Sequence, residues 1–129
     1  MNKNVLIIED DEDIQVVLTE FLEINGYNVQ CASSADEGVH LYKEIAAEYV
    51  LVDMRMPDKD GLDVILELKD IAPPYVVFIA MSGEPTDGDD LGMLGAADLL
   101  GADYTITKPF DMGILLDILK QDDEYAHAA

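Results

Sequence analysis

The chain has 129 residues, half of them apolar, and its 28 Asp plus Glu against 7 Lys plus Arg give a formal net charge of −21. That length builds one compact domain rather than two, and apolar residues spread along the whole chain exclude a disordered polyelectrolyte. The strongly negative field excludes direct nucleic-acid binding by this chain and favours a cation or a basic partner surface.

Taken in order, Asn4 to Ile8 is a short apolar run that stops at Glu9-Asp10-Asp11-Glu12-Asp13, a buried strand ending in acid. Ile14, Val17, Leu18, Phe21 and Leu22 follow at helical spacing up to a C-cap signal at Asn25-Gly26, with acids in the first turn that suit the helix dipole. Tyr27 to Ala32 reads as a second strand. Its Cys31, the lone cysteine, has no internal disulfide partner and reads as a buried inert thiol. Ser33-Ser34 opens a second helix, with Glu37 completing a capping box and Ala35, Val39, Leu41, Tyr42 and Ile45 along it.

Tyr49 to Asp53 is a fully apolar run driven into one carboxylate, and Pro57 and the Asp58 to Gly61 turn come just after it. A third helix carries Leu62, Val64, Ile65, Leu66 and Leu68 and must end before Pro73-Pro74. Tyr75 to Met81 is a fourth strand ending at Ser82-Gly83. A Gly-, Pro- and Asp-rich loop leads to a fourth helix over 91–100, weakened by Gly92 and Gly95. Tyr104 to Thr107 is the fifth strand, Lys108-Pro109 breaks it, and Asp111 caps a last helix to about Lys120, leaving a frayed tail. Strict alternation of five strands and five helices predicts an α/β fold, a doubly wound parallel sheet covered on both faces.

Such folds bind ligands beyond the carboxyl ends of their strands. Those ends carry Glu9 and Asp10, Asp53, Ser82 and Lys108. Three close carboxylates cannot all stay ionised without a cation, and an all-oxygen set with open positions suits Mg²⁺. A carboxylate beside such a cation can attack phosphorus to give an acyl phosphate, with a Lys and a hydroxyl to stabilise the transferring group. Asp53 is the natural nucleophile.

These residues closely resemble the receiver domain of two-component response regulators, over about residues 3 to 120. Val5-Leu6-Ile7-Ile8-Glu9-Asp10-Asp11 is similar to the family's first-strand acidic motif, Asp53 to Gly61 to its phosphoacceptor loop, Met81-Ser82-Gly83 to its hydroxyl switch and Lys108-Pro109-Phe110 to its Lys-Pro motif. The resemblance implies a flavodoxin-like sheet of order 2-1-3-4-5, with the receiver domain over 1–121 and the tail over 122–129. It implies that Asp53 accepts a phosphoryl group from a sensor histidine kinase or a histidine phosphotransfer protein. Asp10, Asp53 and the Arg55 backbone carbonyl would bind Mg²⁺ or Mn²⁺, with Glu9 acting through water, and Lys108 and Ser82 would hold the phosphoryl oxygens. A downstream protein would read the face made by the fourth predicted helix, the fifth strand and the last helix, as a monomer or a phosphorylation-dependent dimer.

The chain departs from the family pattern at Thr105, where an aromatic is usual, while Tyr104 points to the other side of the strand. Arg55 and Glu84, each two residues past a site residue, can pair across the site's mouth and slow hydrolysis. His40 and His127 read as ordinary surface residues.

The reading is therefore a stand-alone, chemotaxis-regulator-like signalling switch and not an enzyme, beyond slow autodephosphorylation. A phosphorelay intermediate is the alternative. A flavodoxin-like electron carrier would need a Gly- and hydroxyl-rich loop where Glu9 to Glu12 stand, and a haloacid-dehalogenase-type phosphatase would need an Asp at Arg55. No apolar run reaches the roughly 18 to 20 residues that cross a bilayer, and the first residues lack a secretory pattern, so a cytoplasmic protein without membrane insertion is expected.

Overall fold

The structure is a computed structural model that describes residues 3–83, 101–108 and 111–128, with no side chains described past Lys120. Its elements are β1 (Asn4–Ile8), α1 (Glu12–Ile24), β2 (Asn28–Ala32), α2 (Ala35–Ile45), β3 (Tyr49–Asp53), α3 (Gly61–Ile71), β4 (Val77–Ser82), β5 (Tyr104–Thr107) and α4 (Met112–Ala128). The strands form one parallel sheet in the order β2-β1-β3-β4-β5, as expected. Four helices lie among the described residues where five were expected; the one placed over 91–100, with Gly92 and Gly95, falls outside them.

The helices cover both faces, and two apolar clusters result. On one face Leu6, Ile8, Val50, Val52, Phe78 and Ala80 pack beneath α2 and α3, through Val39, Tyr42, Val64, Ile65 and Leu68. On the other, Val5, Ile7, Leu51, Ile79 and Met81 pack beneath α1 and α4, through Leu18, Leu22, Leu115 and Leu119. β3 and β4 are buried along their whole length, which is why they read as unbroken apolar runs. β2 and β5 are edges and alternate.

Capping follows the sequence closely. Asp11 caps α1 by accepting from the Asp13 and Ile14 amides at 2.9 and 3.3 Å, and Ser34 caps α2 by accepting from the Glu37 amide at 3.2 Å. Beyond α1, Gly26 takes a left-handed φ of 95°, which a side chain would resist.

Four expectations need correction. Val17, placed on the buried face of α1, is 51% exposed, because Leu18 and Leu22 make the seam and Val17 lies on its shoulder. Leu66 of α3 is exposed for the same reason. Tyr75 stands outside β4 and is exposed, because the Val76 amide donates to the Pro73 carbonyl at 3.2 Å and makes Tyr75 part of a turn. The last helix continues past Lys120 to Ala128, so backbone hydrogen bonding extends through the stretch expected to fray.

Leu51 is fully buried at the centre of β3. Leu51→Ala should lower the unfolding free energy by about 2 to 5 kcal/mol in urea denaturation. Val16→Ala, at a 54% exposed position, should stay within about 0.5 kcal/mol of wild type.

Candidate functional site

The sheet register builds the site. β1 and β3 pair Ile8 with Val52, so the next residues along the two strands, Glu9 and Asp53, emerge side by side at the carboxyl edge. Glu9 is fully buried, Asp53 is 6% exposed and Asp10 faces solvent. Ligand oxygens of Glu9, Asp10 and Asp53 lie within 4.8 Å of one another. Ser82, at the end of β4, is buried, and its hydroxyl donates to the Gly83 carbonyl at a long 3.3 Å.

Lys108 comes in from the end of β5, where its amide donates to the Ser82 carbonyl. Its ammonium binds Glu9 Oε1 and stands 3.6 Å from Asp53 Oδ2. One amine thus serves two buried carboxylates. The Arg55 amide donates to Asp53 Oδ1 at 3.1 Å, and the Asp11 amide reaches Glu9 Oε2 at 3.4 Å. These donors do not offset desolvation. Burial first, with the adjacent Glu9 adding to it, pushes the Asp53 carboxyl up from 3.8 to about 8, against the lowering effects of the Arg55 amide and Lys108.

A divalent cation fits this donor set. The oxygens are hard and close together, and a cation beside them would offset the burial that raises the Asp53 carboxyl. Among the described residues the structure brings together all five residues predicted at the strand ends.

The other predicted residues divide. Arg55 is exposed, two residues after Asp53 in sequence, and its backbone bridges antiparallel to Asp60. Glu84, and with it the pairing across the mouth, lies outside the described residues, as do Pro109 and Phe110. Thr105 is exposed and pairs in register with Ala80, while Tyr104 is half-buried against the α1 and α4 cluster on the opposite face. His40 pairs with Glu44 one turn on, at 3.2 Å on the surface, and the His127 side chain is outside the described residues. Cys31 is half-buried rather than buried, because β2 is an edge, and burial raises its thiol pKa against the lowering effect of the Thr19 hydroxyl.

Three contributors were not legible. Gly61 starts α3 so close to the strand end that a Cβ there would lie 2.3 Å from the Asp53 carbonyl oxygen; the sequence showed only a turn glycine. Gln15 reaches back from α1 to the Glu9 carbonyl and to Ser33 Oγ, the latter at 3.1 Å. Asp58 accepts from the Ala35 and Asp36 amides at 3.2 Å each, across more than twenty residues of sequence. The only available signal for Asp58 was that Ser34 leaves other first-turn amides of α2 without an acceptor.

Residues 5–120 match the family model described as the response regulator receiver domain. The transcriptional regulatory protein CpxR of Klebsiella pneumoniae is 32% identical over 111 residues, covering 86% of this chain and 44% of that protein. The chain therefore spans less than half the length of this curated relative. Sporulation initiation phosphotransferase F of Bacillus subtilis is 28% identical and matches over 94% of both chains. Among solved structures, a CheY-like response regulator receiver domain protein from Methanospirillum hungatei superposes with a TM-score of 0.86, at 26% identity and over the full length of both chains.

The raised Asp53 pKa has a stability consequence. Between about 4 and 8 the folded chain keeps a proton that the unfolded chain releases, so this group's contribution to stability is full below pH 4 and is lost as pH rises toward 8. In metal-free buffer at pH 8, Asp53→Asn should therefore be more stable than wild type, with the gap closing as the pH falls toward 4. Millimolar Mg²⁺ should stabilise the wild type at pH 8 and the variant far less. Chemical denaturation across pH checks this; a variant no more stable than wild type at pH 8 contradicts it.

Proposed function

The chain belongs to the response regulator receiver domain family, and from that premise we propose that it is a phosphorylation-dependent signalling switch whose acceptor is Asp53. The observation that carries this reading is the convergence of Glu9, Asp10 and Asp53 with the Lys108 amine at one sheet edge. Residues 1–121 form the receiver unit in this reading, and its setting is the cytoplasm.

In the proposed reaction an Asp53 carboxylate oxygen attacks the phosphorus of a phosphohistidine on a sensor kinase or phosphotransfer protein. The O–P bond forms as the P–N bond breaks; the departing imidazole keeps the bonding pair and takes a proton from water. Asp53 becomes an acyl phosphate, and slow attack by water on its phosphorus breaks the O–P bond, releases inorganic phosphate and restores the carboxylate. Mg²⁺ held by Asp10, Asp53 and the Arg55 carbonyl, with Glu9 through water, would neutralise charge on the transferring group and lower the pKa of the nucleophile.

The chain's own groups do the rest. The Arg55 amide fixes one Asp53 oxygen and so orients the other. Lys108 neutralises charge at Asp53 from the β5 side. Ser82 donates through a long bond to Gly83, which costs little to exchange for a phosphoryl oxygen. By their place in the sequence, two residues past Asp53 and Ser82, Arg55 and Glu84 are assigned to limiting water's access to the acyl phosphate.

A phosphorelay intermediate is favoured by a separate observation. The B. subtilis relative that matches over the whole chain is named a phosphotransferase. Tyr104, packed toward α4, stands on the side of β5 away from Thr105, so it cannot turn into space beside Ser82 without crossing the strand. A relay needs only to present phospho-Asp53 and does not need that gate.

Incubation with Mg²⁺ and acetyl phosphate should add one phosphoryl group by intact mass, and Asp53→Asn should abolish it. Lys108→Ala should slow labelling by about 100-fold, or more, through loss of charge stabilisation. Labelling that persists in Asp53→Asn refutes the assignment. Chase of the phosphoryl group onto an added histidine phosphotransfer protein separates the relay from the terminal switch.

A further inference from the structure

The loop from Asp53 to Gly61 carries two of the groups on which the proposed site depends, the Asp53 side chain and the Arg55 backbone. Its inner limb is anchored by burial: Met54 is fully buried, Met56 is 8% exposed, and Gly61 donates its amide to the Met54 carbonyl at 3.0 Å. Its outer limb, with Pro57 and Asp58, faces solvent. That limb is tied to the next layer of the fold. Both oxygens of Asp58 are engaged, Oδ1 by the Ala35 amide and Oδ2 by the Asp36 amide, each at 3.2 Å.

α2 therefore has its first amides satisfied in two ways. The local cap Ser34 takes the Glu37 amide, and the distant Asp58 takes the two before it. The contact sits at the start of the helix, and the hydrogen bonds from the Ala35 amide and then the Asp36 amide hold the Asp58 carboxyl below its ordinary pKa. It also withstands the repulsion of Asp36 and Glu37 in the same turn.

From Asp58 to Arg55 the chain passes through Pro57, whose fixed φ leaves little slack. A shift of the outer limb is therefore passed to the Arg55 peptide, which binds Asp53 Oδ1 through its amide. We propose that Asp58 is a positioning residue for the metal and phosphoryl site, its bidentate grip on the start of α2 holding the Asp53–Gly61 loop where Asp53 and the Arg55 backbone meet the cation. The phosphoryl part of this inference rests on the function proposed above; the cation part is measured separately.

The test is calorimetric titration of the full chain with Mg²⁺, for wild type, Asp58→Ala and Asp58→Asn, beside labelling by acetyl phosphate at limiting and saturating Mg²⁺. Asp58→Ala should weaken Mg²⁺ binding about tenfold, the size of effect expected when support behind a ligand is lost. Asp58→Asn keeps one acceptor oxygen and should fall between the two. Labelling of Asp58→Ala should be slow at limiting Mg²⁺ and return toward wild type at saturation, which a general loss of folding would not produce.

Equal Mg²⁺ affinity in wild type and Asp58→Ala overturns the proposal, whatever the melting temperatures. Where Asp58→Ala does not fold, an unchanged affinity in Asp58→Asn overturns it. A wild type that binds no Mg²⁺ overturns it as well. A wild type that binds Mg²⁺ but takes up no phosphoryl group refutes the function and leaves the positioning result to stand on affinity alone.

Discussion

Two carboxyl groups buried together at adjacent strand ends are the constraint on which the rest of this molecule depends. The parallel register of β1 and β3 matches Val5 with Tyr49 and Ile8 with Val52, and these pairs are buried throughout. Each buried aliphatic contributes roughly 1.5 to 3 kcal/mol. Sliding the register to part Glu9 from Asp53 would turn that apolar set to the wrong faces. Packing therefore holds the acids where electrostatics alone would separate their charged forms, and the Asp53 pKa is raised by burial and by Glu9.

Lys108 meets that demand from the opposite side of the site. It binds Glu9 and approaches Asp53, while its backbone is stitched to the end of β4 through the Ser82 carbonyl. A new negative group on Asp53 would compete with Glu9 for the same amine. Because the amine and the Ser82 hydroxyl sit at the joined ends of β4 and β5, any repositioning of one is felt along the edge strand. In the proposed switch, this joined edge would carry chemistry at Asp53 to the surface.

Sequence reading reached the strand ends because each is announced locally. A run such as Tyr49 to Val52 stops at Asp53, Val77 to Met81 stops at Ser82, and register follows from burying the runs. Alternation alone also put Tyr104 and Thr105 on opposite faces, as the structure has them. What could not be read depends on pairs distant in the chain. Asp58 looked like one more turn acid, since the amides it serves are on α2, and nothing in the sequence singles out Gln15, which reaches the Glu9 carbonyl. Gly61 was visible as a turn glycine, but the close approach of its Cα to the Asp53 carbonyl is a fact of packing. Val17 was misplaced because a helix of this amphipathicity buries a narrow seam, and its position lies just off it.

The contrast between Asp53 and Asp58 shows how a chain this acidic sorts its carboxylates. Both lie at the same edge of the sheet, five residues apart in sequence. Asp58 is exposed and accepts two amides at a helix start, so its charge is already satisfied and its pKa falls. Asp11 does the same work at the start of α1. Asp53 is buried, accepts from one amide and shares the Lys108 amine with Glu9, and its pKa rises. Where backbone amides are plentiful, an acid becomes structure. Where burial withholds them, the acid is one that a cation would complete, and in the positioning proposed for Asp58 a carboxylate already completed by amides holds it in place.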